Sequence, residues 1–243
     1  MKHAKGVKIR RGLCFYSTKE TLDCLRRNRQ VKSWLRFISN HYVPRSRDIL
    51  LIYPCSADKP YYRSRSYVQL HNTLSRLGDD LRRIHVATIS EPFGLVPEEF
   101  YDKKTRWHDW KNDWYDCPGL FEWWCKKYER HYSEEEADQC IQILARNIAL
   151  FFRKVKSRRR YRHIIAFVRT YSSNLKKTHD QTHRRIIEKA VEMSNSKVQV
   201  MPRRSLVERI VKRNRKFAWD MYGVSHPEAQ KYLLRKLRAL LHD

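Results

Sequence analysis

The sequence has 243 residues, of which 52 are lysine or arginine and 26 are aspartate or glutamate, giving a formal charge of +26. Such an excess repels itself unless an anionic partner or counterions screen it. Apolar residues at 41% and aromatics at 12% exclude a disordered tail and suffice for the core of one large domain.

No run approaches the ~18 apolar residues of a spanning helix, and the opening MKHAKGVKIRRG lacks the apolar stretch of a secretory leader. Nucleic acid is the expected polyanion, no membrane partner is expected, and the expected compartment is the cytoplasm. Cys14, Cys24, Cys55, Cys117, Cys125 and Cys140 are scattered with no CxxC pair, which argues against a disulfide framework and for reducing surroundings. Cys117, Cys125, His108 and His131 have ligand chemistry suited to zinc. Without paired spacing the two thiols are read as packed, and neither a metal nor a cofactor is expected.

In chain order, residues 1–45 are expected to form a basic helical extension, because Leu22, Leu25, Val31, Trp34, Leu35 and Ile38 recur at helical spacing. The α/β core is expected over 46–202. ILLIY at 49–53, stopped by Pro54, is a short apolar run of the kind that forms a buried parallel strand. A helix from Tyr67 to Leu77 ends at Gly78, a residue suited to a left-handed helix terminus, and IHVATI at 84–89 is the next strand. Residues 90–131 are rich in proline, tryptophan and aspartate and lack a period until about Gly119, as functional or irregular insertions do. Ser133 and Glu136 form a capping box for a long helix whose apolar stripe runs from Ala137 to Val155. A strand at 163–168, a helix at 175–193 and a strand at 197–201 continue the alternation. Two basic helices at 203–243 pack on the core, the last opened by Ser225, Pro227 and Glu228. Strands alternating with helices imply a three-layer α/β/α sandwich with a mainly parallel sheet.

Ligands of open parallel sheets bind beyond the carboxyl ends of the strands. Three loops meet there. The first carries Pro54, Cys55, Ser56, Asp58, Lys59, Tyr61, Ser64 and Ser66; the second carries Glu91, Phe93 and Gly94; the third carries Tyr171. Cys55 lies between a strand and a helix, where Lys59 or a helix N-terminus can make a thiol nucleophilic; a small packed thiol is the alternative. Asp58 suits either a proton shuttle or a turn hydrogen bond. The aromatic stretch from Trp107 to Trp124 can stack on unpaired bases or pack in the core. Two basic runs are expected to bind phosphates. One spans 153–162 and includes Arg158, Arg159 and Arg160; the other spans 203–216 and includes Arg203, Arg204, Lys212, Arg213, Arg215 and Lys216.

The motif residues carry a resemblance. PCSADKPYYRSRSY, with its PC, three residues, KPY spacing after an apolar strand, resembles the signature of the archaeosine synthase family, whose alpha subunit holds the catalytic core. SEPFGLVPEEF, YDCPGLFEWW and YRHIIAFVRTY resemble further segments of that core, in the same order, over residues 30 to about 223. The chain would be a short form, without the family's transglycosylase-like and PUA domains.

The resemblance implies a uracil-DNA-glycosylase-like α/β/α core. It also implies an activity: lysine, or another small amine, adds to the nitrile of 7-cyano-7-deazaguanine in tRNA, or in DNA, giving an amidine without ATP. Pro54, Cys55, Lys59, Pro60, Tyr61 and Ser64 fill the motif, and Tyr115 and Asp116 join Glu91, Phe93, Gly94 and Tyr171 as substrate-binding candidates. The motif's histidine is Tyr67 here. A phenol does not replace imidazole as a proton carrier near neutral pH, so His71, one turn later, is the candidate substitute. A separate transglycosylase-like, PUA or radical-SAM subunit is an expected partner. The alternative from another class is a non-catalytic module that binds nucleic acid for a partner enzyme.

Overall fold

In the computed structural model, residues 7–101, 104–105, 108–109, 113–168, 182–213 and 219–243 are described. The N-terminal segment opens on a strand, β1 (Lys8–Cys14), and not on a helix. Helices α1 (Thr18–Arg27) and α2 (Arg29–Arg36) follow, with Ser17 accepting from Glu20 N at 3.1 Å and Asn28 Oδ1 accepting from Val31 N at 3.1 Å. These short polar side chains satisfy N–H groups that a helix start leaves unpaired.

The central strand β2 (Ile49–Pro54) is buried along its whole length. Its unbroken apolar run is what a strand covered on both faces requires. Ser64 caps α3 (Arg65–Leu74), and 3-10 turns broken at Gly78, φ 59°, lead into β3 (Ile84–Ser90). Strand β4 (Gly94–Pro97) folds back on β3, pairing Ser90 with Gly94 and Ala87 with Pro97. Gly94 takes φ 67°, and a Cβ there would lie 3.3 Å from Leu35. The insertion then supplies β5 (Lys104–Thr105), β6 (His108–Asp109), β7 (Asp113–Asp116) and α4 (Glu122–Lys127).

Helix α5 (Glu134–Ser157) starts at Ser133, whose hydroxyl accepts from Glu136 N at 3.3 Å, as the capping box predicts. Three glutamates in its first turn and Lys154 and Lys156 in its last suit the helix dipole. The remaining elements are β8 (His163–Phe167), α6 (Thr182–Ser194), β9 (Gln199–Met201), α7 (Arg204–Arg213), α8 (Trp219–Tyr222) and α9 (Pro227–Leu241). His226, and not Ser225, caps the last helix, its ring nitrogen accepting from Glu228 N at 3.2 Å.

The main sheet has the order β4-β3-β2-β8-β9, parallel except for β4. Helices α1, α5 and α6 pack together as one layer, and α3 packs with α9 as the other. One hydrophobic core runs from Leu13 to Leu241. A second, two-stranded sheet pairs β1 with β7, joining Cys14 to Asp116. Among the described residues no helix is long and apolar enough to cross a membrane. The parallel order brings the ends of β2, β3 and β8 to one edge of the main sheet, and β7 closes over it.

Candidate active site

A cavity of about 510 Å³ opens at that edge. Its floor is built by three elements. Cys55 follows β2 and is fixed by its own N–H, which donates to Ile89 O at 2.9 Å. Glu91 directly follows β3 and is 1% exposed. His183 stands in the first turn of α6, 7% exposed. His183 Nε2 lies 3.1 Å from Glu91 Oε2 and 3.8 Å from Cys55 Sγ. All three side chains line the cavity.

The electrostatics follow from that packing. Burial alone would lower the His183 pKa, but the Glu91 charge and the hydrogen bonds to Cys55 and Glu91 outweigh it and raise it to about 10. At neutral pH the ring is an imidazolium whose single Nε2–H is shared between a carboxylate and a sulfur. That charge stands 3.8 Å from Cys55 Sγ. Cys117 also lines the cavity, and burial first, then the Glu91 charge, pushes its thiol well above the ordinary range. Glu91 Oε1 is buried with no hydrogen-bond partner among the described residues. Such an atom carries a desolvation cost until something donates to it. Cys55 Sγ, Glu91 oxygen and His183 Nε2 also lie within 4.8 Å of one another, a sulfur, oxygen and nitrogen set that zinc-type cations accept.

The walls add charge and aromatic surface. Lys59 is 4% exposed, donates to Ser56 O, and sits 5.0 Å from the Tyr61 ring centroid and 5.3 Å from that of Tyr115. The hydroxyls of Tyr61 and Tyr115 are hydrogen-bonded, and Tyr115 donates to Ser90 Oγ at 2.7 Å. Phe121, Trp123, Trp124 and Tyr128 line the outer wall, and Met221 and Tyr222 close it from α8.

Residues 31–206 match a family described as a domain of unknown function, DUF5591. The chain belongs to the DUF5591 family. It is 29% identical over 132 residues to "Archaeosine synthase subunit alpha" of Thermococcus kodakarensis, covering 52% of this chain and 19% of that protein. The protein of the same description from Thermoplasma acidophilum is 33% identical over 135 residues, 54% of this chain and 21% of that one. The DUF5591 chain thus spans about a fifth of the length of these curated relatives. A crystal structure of AF0587, a protein of unknown function, aligns over 84% of this chain and 49% of that one, with 18% identity and a TM-score of 0.46.

Against this DUF5591 site the residues expected from sequence divide. Pro54, Cys55, Ser56, Lys59, Ser66, Glu91, Tyr115 and Asp116 line the cavity. Tyr61 and Phe93 are fully buried behind it, and Ser64 is the α3 cap, accepting from Tyr67 N at 3.3 Å. Tyr67, expected as a catalytic residue, is 1% exposed and hydrogen-bonded to Thr88 inside the sheet-helix layer. Burial and the neighbouring Tyr101 hold its phenol protonated. His71 lies on the exposed side of α3 and does not line the cavity, so it does not substitute for an imidazole there. Asp58 is outside the lining too, its N–H donating to Ser56 Oγ at 3.2 Å in a turn. Tyr171 lies outside the described residues.

The imidazole comes instead from His183, 128 residues from Cys55 in sequence. The available signal was positional: the helix after the third parallel strand starts at the same sheet edge. The cysteines weighed for zinc are packed, with Cys117 against Thr21 and Cys125 donating to Gly119 O at 3.4 Å, while His131 pairs with Glu136 at 3.0 Å.

The two basic runs fall at opposite ends of the sheet. Residues 153–162 join α5 to the start of β8, away from the cavity. Lys154 donates to Ile38 O and Ser39 O at 2.8 and 2.9 Å, Lys156 to Asn195 O, and Arg160 to Ser46 Oγ; Arg158 and Arg159 are exposed. Helix α7 follows β9 at the cavity edge; Arg203 just before it and Arg204, Lys212 and Arg213 on it are exposed, while Leu206, Val207 and Ile210 are buried. Arg215 and Lys216 lie outside the described residues.

Proposed function

We propose that this chain carries out the nitrile-to-amidine step of 7-deazaguanine modification in tRNA, a reading supported by its likeness to proteins named archaeosine synthase subunit alpha. The observation that carries the reading is the Cys55, His183 and Glu91 constellation on the floor of a 510 Å³ cavity. In this scheme the Cys55 thiolate adds to the nitrile carbon while the His183 Nε2–H gives its proton to the nitrile nitrogen. A thioimidate results. An amine, with lysine favoured, then adds to the same carbon and passes a proton to His183, and the thiolate leaves to give the amidine. Every atom is accounted for, and no ATP enters because the nitrile is already electrophilic. Glu91 keeps His183 charged, and its unpartnered Oε1 is the acceptor for an N–H of the base or of the incoming amine. Lys59 sets a second cation on the wall.

The non-catalytic alternative drew its strength from the missing motif histidine. An imidazole 3.8 Å from the thiol removes that objection. The curated relatives are named as subunits, which supports assembly with a further subunit that handles the tRNA or the later steps. The test is nucleoside mass spectrometry after incubating the chain with lysine and nitrile-bearing tRNA. A nucleoside heavier by one lysine is expected in the wild type and absent from Cys55→Ser. Tight tRNA binding with no new nucleoside under any amine would overturn the catalytic reading and leave the binding module.

A further inference from the structure

Six large apolar side chains are exposed among the described residues, and three of them, Trp123, Tyr128 and Met221, rim the cavity. Grouped exposed apolar surface on an otherwise charged protein marks a contact site. The rim is also ordered from beneath. Trp124 stacks on Tyr16 with ring centroids 5.6 Å apart and meets Tyr128 at 4.8 Å, so the exposed Tyr128 ring rests on a second aromatic layer.

Cations stand beside the rings. Lys127 Nζ is 5.4 Å from the Tyr128 centroid, and the Arg65 guanidinium is 4.3 Å from the Tyr222 centroid while donating to Met221 O at 3.3 Å. Helix α7, whose Arg204, Arg209, Lys212 and Arg213 are exposed, packs against α8, which supplies Met221 to the rim. Planar rings alternating with cations are the pattern that holds unpaired nucleotides, whose bases stack while their phosphates are neutralised. A protein partner would be met by an apolar rim without this excess of positive charge.

We infer that the rim formed by Trp123, Tyr128 and Met221 is a stacking platform for the unpaired nucleotide next to the one whose base enters the cavity. This rests on the nucleic-acid part of the function proposed above and narrows it: the chain takes single-stranded or extruded nucleotides and not an intact duplex. A base inside a helix cannot reach a half-buried thiol on the floor of a cavity, so it must leave its stack. The rim supplies the surface that replaces the stacking lost by its neighbour.

The experiment uses fluorescence anisotropy with a labelled, unstructured RNA oligonucleotide that carries no nitrile, against the same sequence annealed into a duplex. Trp123→Leu with Tyr128→Leu should weaken single-strand binding by about 5- to 150-fold, the range that stacking one base supplies, and leave duplex binding within about twofold. Both residues are exposed, so circular dichroism should report an unchanged fold. Equal single-strand affinity for variant and wild type would overturn the platform, as would parallel losses for duplex and single strand. Because no nitrile or amine is present, a negative result here leaves the thioimidate chemistry standing. Intact stacking with no amidine product would instead sink the chemistry and leave the platform.

Discussion

The two ends of β3 each hold a buried histidine bonded to a glutamate, and they differ in what is left unsatisfied. At the start of the strand, His85 Nδ1 meets Tyr161 OH at 2.5 Å, Nε2 meets Glu99 Oε2 at 2.9 Å, and Tyr42 OH bonds the other Glu99 oxygen. Every atom has a partner. Burial would raise the Glu99 pKa, but the bonds from His85 and Tyr42 outweigh it and hold the carboxyl below its usual range. At the far end, His183 turns one nitrogen to both Glu91 and Cys55, Glu91 Oε1 has no partner among the described residues, and a cavity opens above. A closed network contributes rigidity. An open one, held by the fold despite its cost, is where a ligand gains most by binding.

The largest expected effect separates the two ends. His183→Gln should lower turnover by about 10²- to 10⁴-fold, the usual contribution of a positioned acid-base group, whereas His85→Gln should leave turnover per folded molecule unchanged. Steady-state rates normalised to the folded fraction decide this, and equal losses from both substitutions would erase the distinction.

The next effect contrasts the two basic runs. Glutamate at Arg203, Arg204, Lys212 and Arg213 should weaken tRNA binding and reduce the slope of log affinity against log salt by about 0.9 per lost phosphate contact. Glutamate at Arg158 and Arg159, at the other edge, should change the slope less. A filter-binding titration between about 50 and 200 mM salt reads both.

Stability gives smaller differences. His85→Gln should cost about 1–3 kcal/mol in urea melts, because it leaves Glu99 and Tyr161 short of a partner. His183 adds a pH signature. Its pKa is raised from 6.5 to about 10, so its stabilising contribution is fully present below about pH 6.5 and is lost as pH rises through 10. The stability of the wild type relative to His183→Gln should therefore shrink between those limits, and a constant difference would contradict the imidazolium assignment.

The smallest effect concerns Tyr67. The archaeosine-synthase motif reading suggests that a histidine there would restore activity. The fold places the side chain against Thr88 and Tyr101, away from the cavity. Tyr67→His should cost about 1–3 kcal/mol for a poorly paired buried polar group with no gain in turnover, which a melt and a rate assay together check.

These contrasts also mark where the sequence was readable. β2 stood out because a strand buried on both faces needs an uninterrupted apolar run, and α5 because Ser133 and Glu136 announce its start. β1 was hidden. KIRRGLC carries too few apolar residues to look like a strand, and it is ordered by pairing with β7 across a hundred residues of chain. In the site, Cys55 and Glu91 were legible since each directly follows a strand whose end lies at the binding edge. His183 was not, because it stands 128 residues from Cys55 in sequence and only the packing of α6 in the fold brings the two within 3.8 Å. Tyr67 misled for the complementary reason: motif spacing gives position along the chain, and burial decides which positions meet a ligand.

The most direct measurement is intact-protein mass after denaturing quench of the wild type incubated with a nitrile-bearing deazaguanine oligonucleotide and no amine. The proposed chemistry predicts an adduct of the oligonucleotide mass on Cys55, absent from Cys55→Ser and discharged as amidine product when lysine is added. Amidine formation by Cys55→Ser at the wild-type rate, with no adduct on either protein, would contradict it.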